Sequence, residues 1–195
     1  MALSSPAART PLHARRYDFR GYKRCDGLFD IEGRIVDAKD YDFANQDRGT
    51  IHAGEPVHDM AVRLTLDERF VVRDIEAETA AGPFAICPAI TANYRKLIGE
   101  RLGRGWRQTL RELLGGTEGC THITEMLGAM ATVAFQTILP ARTAPSTGAV
   151  LADSRPLLLN SCHAFASDSP VVRRTWPDHY TGPDADAAGE GGEST

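Results

Sequence analysis

Two stretches of the chain alternate apolar and polar residues with a period of two. Phe29, Ile31 and Ile35 share one parity, with Asp30, Glu32 and Arg34 on the other, which predicts a strand with one face buried. Met60, Val62, Leu64 and Leu66 alternate with Ala61, Arg63, Thr65 and Asp67. Asp67-Glu68-Arg69 interrupts this run, and residues 70–79 resume β-favouring types, so a hairpin is expected there. The fold class that follows is α+β, with a small antiparallel sheet of about three strands. One face of such a sheet needs a cover.

Helical spacing supplies it. Cys87 is followed by Pro88, and proline suits the first helical position, where its missing N–H would be unpaired in any case. Ile90, Tyr94, Leu97, Ile98 and Leu102 then recur on one face, with Gly99 weakening the helix and Gly103-Arg104-Gly105 ending it. Residues 106–114 predict a second, short helix closed by Gly115-Gly116. A third is expected over residues 121–138, its apolar stripe formed by Ile123, Met126, Leu127, Met130, Ala134 and Ile138, with Pro140 just beyond. About three helices therefore cover the sheet.

The remainder reads as connections and ends. Residues 1–20 are a flexible lead-in rich in Ala, Arg, Pro and Ser, and residues 40–55 a polar loop. Residues 141–155 form a Pro/Ser/Thr/Gly connection, Leu157-Leu158-Leu159 returns to the core, and Pro170-Val171-Val172-Arg173 reads as a short strand. Residues 21–180 are expected to form a single domain. Residues 181–195 are an acidic, Gly/Ala-rich tail with nothing to bury and an expectation of disorder.

Composition narrows the function classes. With 195 residues, 42% of them hydrophobic, the chain can form one core. A net charge of −4 carries no basic excess for nucleic acid. No apolar run reads as a membrane span, and residues 1–16 lack the apolar centre of a secretory signal. The expected location is cytoplasmic. Four scattered cysteines (Cys25, Cys87, Cys120, Cys162) then read as free thiols, metal ligands or nucleophiles rather than disulfides.

The chemistry concentrates in residues 115–125. A glycine-rich turn leads into the third helix carrying Cys120, His122 and Glu125. Cys87 and Cys120 both fall at helix starts, where unpaired N–H groups favour thiolate, the form that binds metal or attacks carbon. His122 and Glu125, three apart, share a helix face, so the carboxylate can orient the imidazole or act as a base. The alternative for this pair is a solvated helix face. In Val57-His58-Asp59 only one of the two polar residues can face a given site, because adjacent strand residues point to opposite faces. Cys162-His163 either completes the site or packs beside Phe165. Tyr94 lies on the apolar helix face and reads as core.

The series Cys-Asp-Gly-Leu-Phe-Asp-Ile-Glu-Gly-Arg, Gly-Glu-Pro-Val-His-Asp-Met, Leu-Gly-Gly-Thr-Glu-Gly-Cys-Thr-His and Cys-His-Ala resembles a bacterial family described only as a domain of unknown function. The likeness spans most of residues 15–180. A more distant similarity is to the U-type iron–sulfur cluster scaffolds, in the order of a sheet, an Asp at a strand start and two cysteines at helix starts. That resemblance implies Asp59, Cys87 and Cys120 as ligands of zinc or a nascent cluster. Val57 stands where the first scaffold cysteine belongs, and Gly119 where a histidine usually precedes the last one.

The expected site is therefore a zinc, iron or iron–sulfur centre on Asp59, Cys87, Cys120 and His122, with Glu125 and His163 as catalytic groups. Three roles compete. One is a metal-dependent enzyme acting on a small-molecule substrate, and another is a scaffold or carrier serving a metal-delivery partner. The third is a metal-free enzyme using Cys120 as nucleophile with His122 or His163 as base.

Overall fold

A computed structural model describes residues 3–142 and 158–183. It divides into two units, residues 1–138 and 139–195. The larger holds a four-stranded antiparallel sheet of β1 (His13–Lys23), β2 (Phe29–Lys39), β5 (Pro56–Leu66) and β6 (Val72–Ala81), in that spatial order, and a two-stranded sheet of β3 (Phe43–Asn45) and β4 (Gly49–Ile51). The expectation of about three strands is thus corrected: the main sheet has four, and a second sheet stands beside it.

Both omissions have a physical cause. Strand β1 begins within the stretch read as a flexible lead-in, and nine of its eleven residues are exposed. An edge strand so little buried has no alternating apolar pattern to reveal it. The β3–β4 hairpin lies inside the stretch read as a polar loop, and its turn is held by the Asn45 side chain, which accepts from the Asp47 and Arg48 backbone N–H groups. Ile51 alone is buried there.

The two faces of the main sheet differ. Ile31, Ile35, Met60, Val62, Leu64 and Ile75 point to one face and are at most 3% exposed. The other carries ion pairs that run across the strands. Arg63 donates to Glu32 and Glu76, each at 3.0 Å, and Arg34 holds Asp59 through both of its oxygens. One face in water is the usual state of an antiparallel sheet.

The cover is helical, as expected, though its first piece is a long 3-10 helix, Cys87–Leu97, rather than an α-helix. Helix α1 (Trp106–Leu114) follows, and then α2 (Thr121–Arg142). Ile123, Met126, Leu127 and Met130 on α2 are fully buried, each contributing about 1.5–3 kcal/mol by leaving water. By length and composition α2 could also cross a membrane; within the larger unit its apolar stripe is core. The helix approaches β1 and β2 at two glycines that face each other diagonally. A Cβ on Gly21 would meet Thr137 Oγ1 at 1.8 Å, and one on Gly33 would lie 3.0 Å from Met130 Sδ. Pro140 lies within α2 rather than beyond it.

In the second unit, Pro170–Thr175 forms a short helix, α3, where the sequence suggests a strand. Ser169 caps it by accepting from Val172 N–H at 3.1 Å, and Pro170 takes the first position. A Ser-Pro start is a helix signal that outweighs the β-branched Val171-Val172 pair. The expectations for residues 143–157 and 184–195 lie outside the described residues.

Candidate metal centre

The strand register builds the floor of the site. Arg15 pairs with Asp37, and Asp37 with His58, so three polar residues form one row across β1, β2 and β5. They lie on the covered face, and Asp37 and His58 keep the apolar parity of β2 and β5. Asp37 is 2% exposed. Helix α2 lowers His122 onto this row from its first turn.

Arg15 grips the carboxylate at both oxygens, Nε to Oδ1 and Nη2 to Oδ2, each at 2.7 Å. His58 Nδ1 lies 3.1 Å from Oδ2 and His122 Nε2 3.6 Å from the same atom. His13 Nε2 stands 3.5 Å from Oδ1. The His58 and His122 rings lie 3.9 Å apart at 32°. Arg15 also reaches Glu125 Oε2 at 3.2 Å.

Charges in the row shape one another. Burial pushes the Asp37 carboxyl up, but the Arg15 hydrogen bonds and charge, with the nearby histidines, outweigh it and hold it below the usual range. Burial pushes His58 down, helped by His122 and opposed by Asp37. His122 is lowered by burial and by Arg15, against the pull of Asp37 and Glu125. Each shift favours the form a metal ion requires, carboxylate for Asp37 and neutral imidazole for His58 and His122.

A second set of contacts fixes the start of α2. Cys120 precedes the helix, its carbonyl accepting the Thr124 N–H at 2.9 Å. Buried Tyr94 clamps this turn. Its hydroxyl accepts the Cys120 N–H at 2.8 Å and lies 3.0 Å from both the Cys120 carbonyl and Thr124 Oγ1. Gly119 passes so close to Leu114 that a Cβ there would sit 2.5 Å from its carbonyl oxygen. Held this way, Cys120 Sγ stands 3.8 Å from His122 Nδ1 and 3.7 Å from Met60 Sδ.

Among the described residues, the His, Cys, Asp and Glu side chains whose donor atoms converge within 4.8 Å are Asp37, His58 and His122. Of the four ligands expected from sequence, His122 is in this group. Asp59 points to the opposite face, where Arg34 occupies it. Cys87 opens the 3-10 helix against Gly82, where an added Cβ would lie 3.2 Å from its Sγ. Cys120 touches His122 through sulfur, and Glu125 reaches the row by its contact with Arg15. His163 begins a short 3-10 helix in the second unit, beside exposed Cys162. All four cysteines are free.

Asp37 and Arg15 of the row, and His13 beside it, have no place in the expected set, and His58 of the row stands where Asp59 was expected. Parity carries the signal for two of the polar residues that matter. Asp37 continues Phe29-Ile31-Ile35, and His58 continues Met60-Val62-Leu64, so each is a polar residue on a buried face. For Arg15 and His13, on an edge strand, no such signal exists.

A family model described as protein of unknown function (DUF2889) matches residues 13–136, more than half of the chain. The chain belongs to this family. The match begins with β1 and takes in the whole row, Cys120 and most of α2. No curated protein and no solved structure matches.

Proposed function

We propose that Asp37, His58 and His122 hold a single zinc or iron ion, and that the protein is a metal-dependent enzyme acting on a small organic substrate. The observation behind this reading is the convergence of the three donors, with Asp37 Oδ2 at 3.1 Å from His58 Nδ1 and 3.6 Å from His122 Nε2. Bonds of about 2.0–2.2 Å give polyhedron edges of roughly 2.9–3.5 Å, so modest adjustment fits one ion. Two imidazoles and one carboxylate, with positions left open, suit zinc or non-haem iron. The group has no thiolate, so the proposal is a mononuclear ion and not a cluster.

Arg15 is compatible with it. A carboxylate offers about four lone-pair sites; Arg15 takes two, and those on the histidine side remain. Its hydrogen bonds orient Asp37 and keep it ionised, the part outer residues play around metal ligands. His122 Nδ1, on the far side of that ring, faces Cys120 Sγ. When bound, the ion would supply Lewis acidity towards a substrate oxygen or water.

Metal analysis tests the reading. Protein purified without chelator should carry close to one zinc or iron per chain. Asp37→Ala, His58→Ala and His122→Ala should each lose it, while Asp59→Asn and Cys87→Ser keep it. Folded wild-type protein free of both metals sinks the proposal.

One observation favours a second reading, a metal-free thiol enzyme. Cys120 Sγ, His122 and Asp37 form a chain, 3.8 Å from sulfur to Nδ1 and 3.6 Å from Nε2 to the carboxylate, the order of nucleophile, base and orienting group. Iodoacetamide labelling of Cys120 separates the two. Labelling that is indifferent to His122→Ala removes the thiol reading.

A further inference from the structure

Strand β1 is one edge of the four-stranded sheet. Among the described residues, three of the eight exposed large apolar side chains lie on it or just before it: Leu12, Tyr17 and Tyr22, at 63%, 37% and 43%. An eleven-residue edge carrying that apolar surface is a template for pairing with another chain.

We propose that β1 pairs antiparallel with β1 of a second copy of this chain, about a two-fold axis through Tyr17, joining two four-stranded sheets into one of eight. The register follows from the pleat and the charges. Facing residues in a ladder point to the same side of the sheet, so the axis must pass through a residue rather than between two. Through Arg16 or Asp18 it would set like charges face to face, and through Phe19 it would set Arg15 against Lys23 of the partner subunit. Like charges directly opposite are destabilising.

Through Tyr17 every facing pair is compatible. Arg16 meets Asp18 of the partner subunit twice over, Leu12 meets Tyr22 of the partner subunit, Arg15 meets Phe19 of the partner subunit, and Tyr17 meets its own copy. The exposed apolar side chains all find apolar neighbours. Asp18 is free to be recruited: its ion pair with Arg20 is a loose 3.7 Å contact with both side chains about two-thirds exposed. Arg16 has no ion pair among the described residues. The pairing also bears on the row beneath the helix, because His13 and Arg15 stand on this edge.

Light scattering on the full chain tests the proposal. The expected mass is twice 21.2 kDa. Arg16→Asp and Asp18→Arg should each raise the dissociation constant roughly tenfold or more, since each creates two like-charge contacts across the axis. The double variant R16D/D18R restores opposite charges and should recover the dimer. Circular dichroism confirms that each variant is folded, and hydrogen exchange should show the N–H groups of β1 that point away from β2, every second residue, protected in wild type and open in the single variants. A monomeric wild type overturns the proposal, as does a dimer indifferent to both reversals or a double variant no better than the singles.

Discussion

His122 on the first turn of α2 and Asp37 on β2 meet at 3.6 Å, Nε2 to Oδ2, at the end of the sheet where Arg15, Asp37 and His58 form a row. The contact depends on two distant features. The clamp of Tyr94 on Cys120 sets where α2 begins, and the glycines at positions 21 and 33 let its later turns lie close to β1 and β2. Sheet and helix therefore hold the polar cluster from both ends of the covered face.

Asp37→Asn should cost about 2–3 kcal/mol in urea-induced unfolding. Breaking a buried ion pair usually costs 3–5 kcal/mol, and Arg15 keeps 31% of its side chain in water, which moderates the loss. The amide also loses acceptor capacity for the Arg15 fork. A cost below 0.5 kcal/mol, the range of ordinary surface changes, would mean that the pairing contributes little to the fold.

The row also sets a pH dependence for protein stripped of metal with a chelator. His58 and His122 titrate below 6.5 when folded. Between that value and their folded values the unfolded chain binds more protons, so stability falls as pH drops through the window. Asp37, held below 3.8, contributes stability above that value that is lost as pH falls through its folded pKa. Urea midpoints measured from pH 8 to pH 3 should show both declines. His58→Gln or His122→Gln should flatten the upper one. An unchanged upper slope in both variants would show that neither ring is held neutral by the fold.

Much of the frame was legible from periodicity. The period-two runs located β2 and β5, and the stripe from Ile123 to Ile138 located α2, because burial of one face leaves a pattern that propensity alone does not. Strand β1 left no pattern, since its stability comes from hydrogen bonding to β2 rather than from burial. Among the described residues His122 is the one expected ligand in the converging group, and the reason is related. Between His58 and Asp59, parity with Met60 favoured His58, whereas the likeness to scaffold proteins favoured Asp59, which the strand turns toward Arg34. The pairing of Asp37 with His122 is a tertiary fact, with no trace in the local spacing of either residue.

Gly21→Ala tests how closely α2 lies on the sheet. The new methyl would sit 1.8 Å from Thr137 Oγ1 and 2.8 Å from its Cβ, so rotating the side chain does not relieve the clash. Overpacking of this kind costs about 1–3 kcal/mol. Thr137→Ala removes the obstructing atoms beyond Cβ, and Gly21→Ala/Thr137→Ala should recover at least half of the loss. If Gly21→Ala is neutral in thermal unfolding, α2 rides higher over β1 than described.

Glu125 separates a structural partner from a proton-transfer group. Its carboxylate accepts from Arg15 Nη1 at 3.2 Å, and its side chain is 60% exposed. A surface pair of this kind is worth about 0–1 kcal/mol, and Glu125 is outside the converging donors. Glu125→Gln should therefore leave metal content unchanged and stability within about 0.5 kcal/mol. Its position still matters for chemistry, because it is a water-accessible carboxylate tethered to the residue that orients Asp37. If it moves a proton for a substrate held over the row, turnover should fall by about 10²–10⁴-fold in any assay that Asp37→Ala abolishes. Full turnover in Glu125→Gln would leave Glu125 as a brace for Arg15. Loss of metal in the same variant would instead place it closer to the ion than its 3.2 Å contact with Arg15 allows.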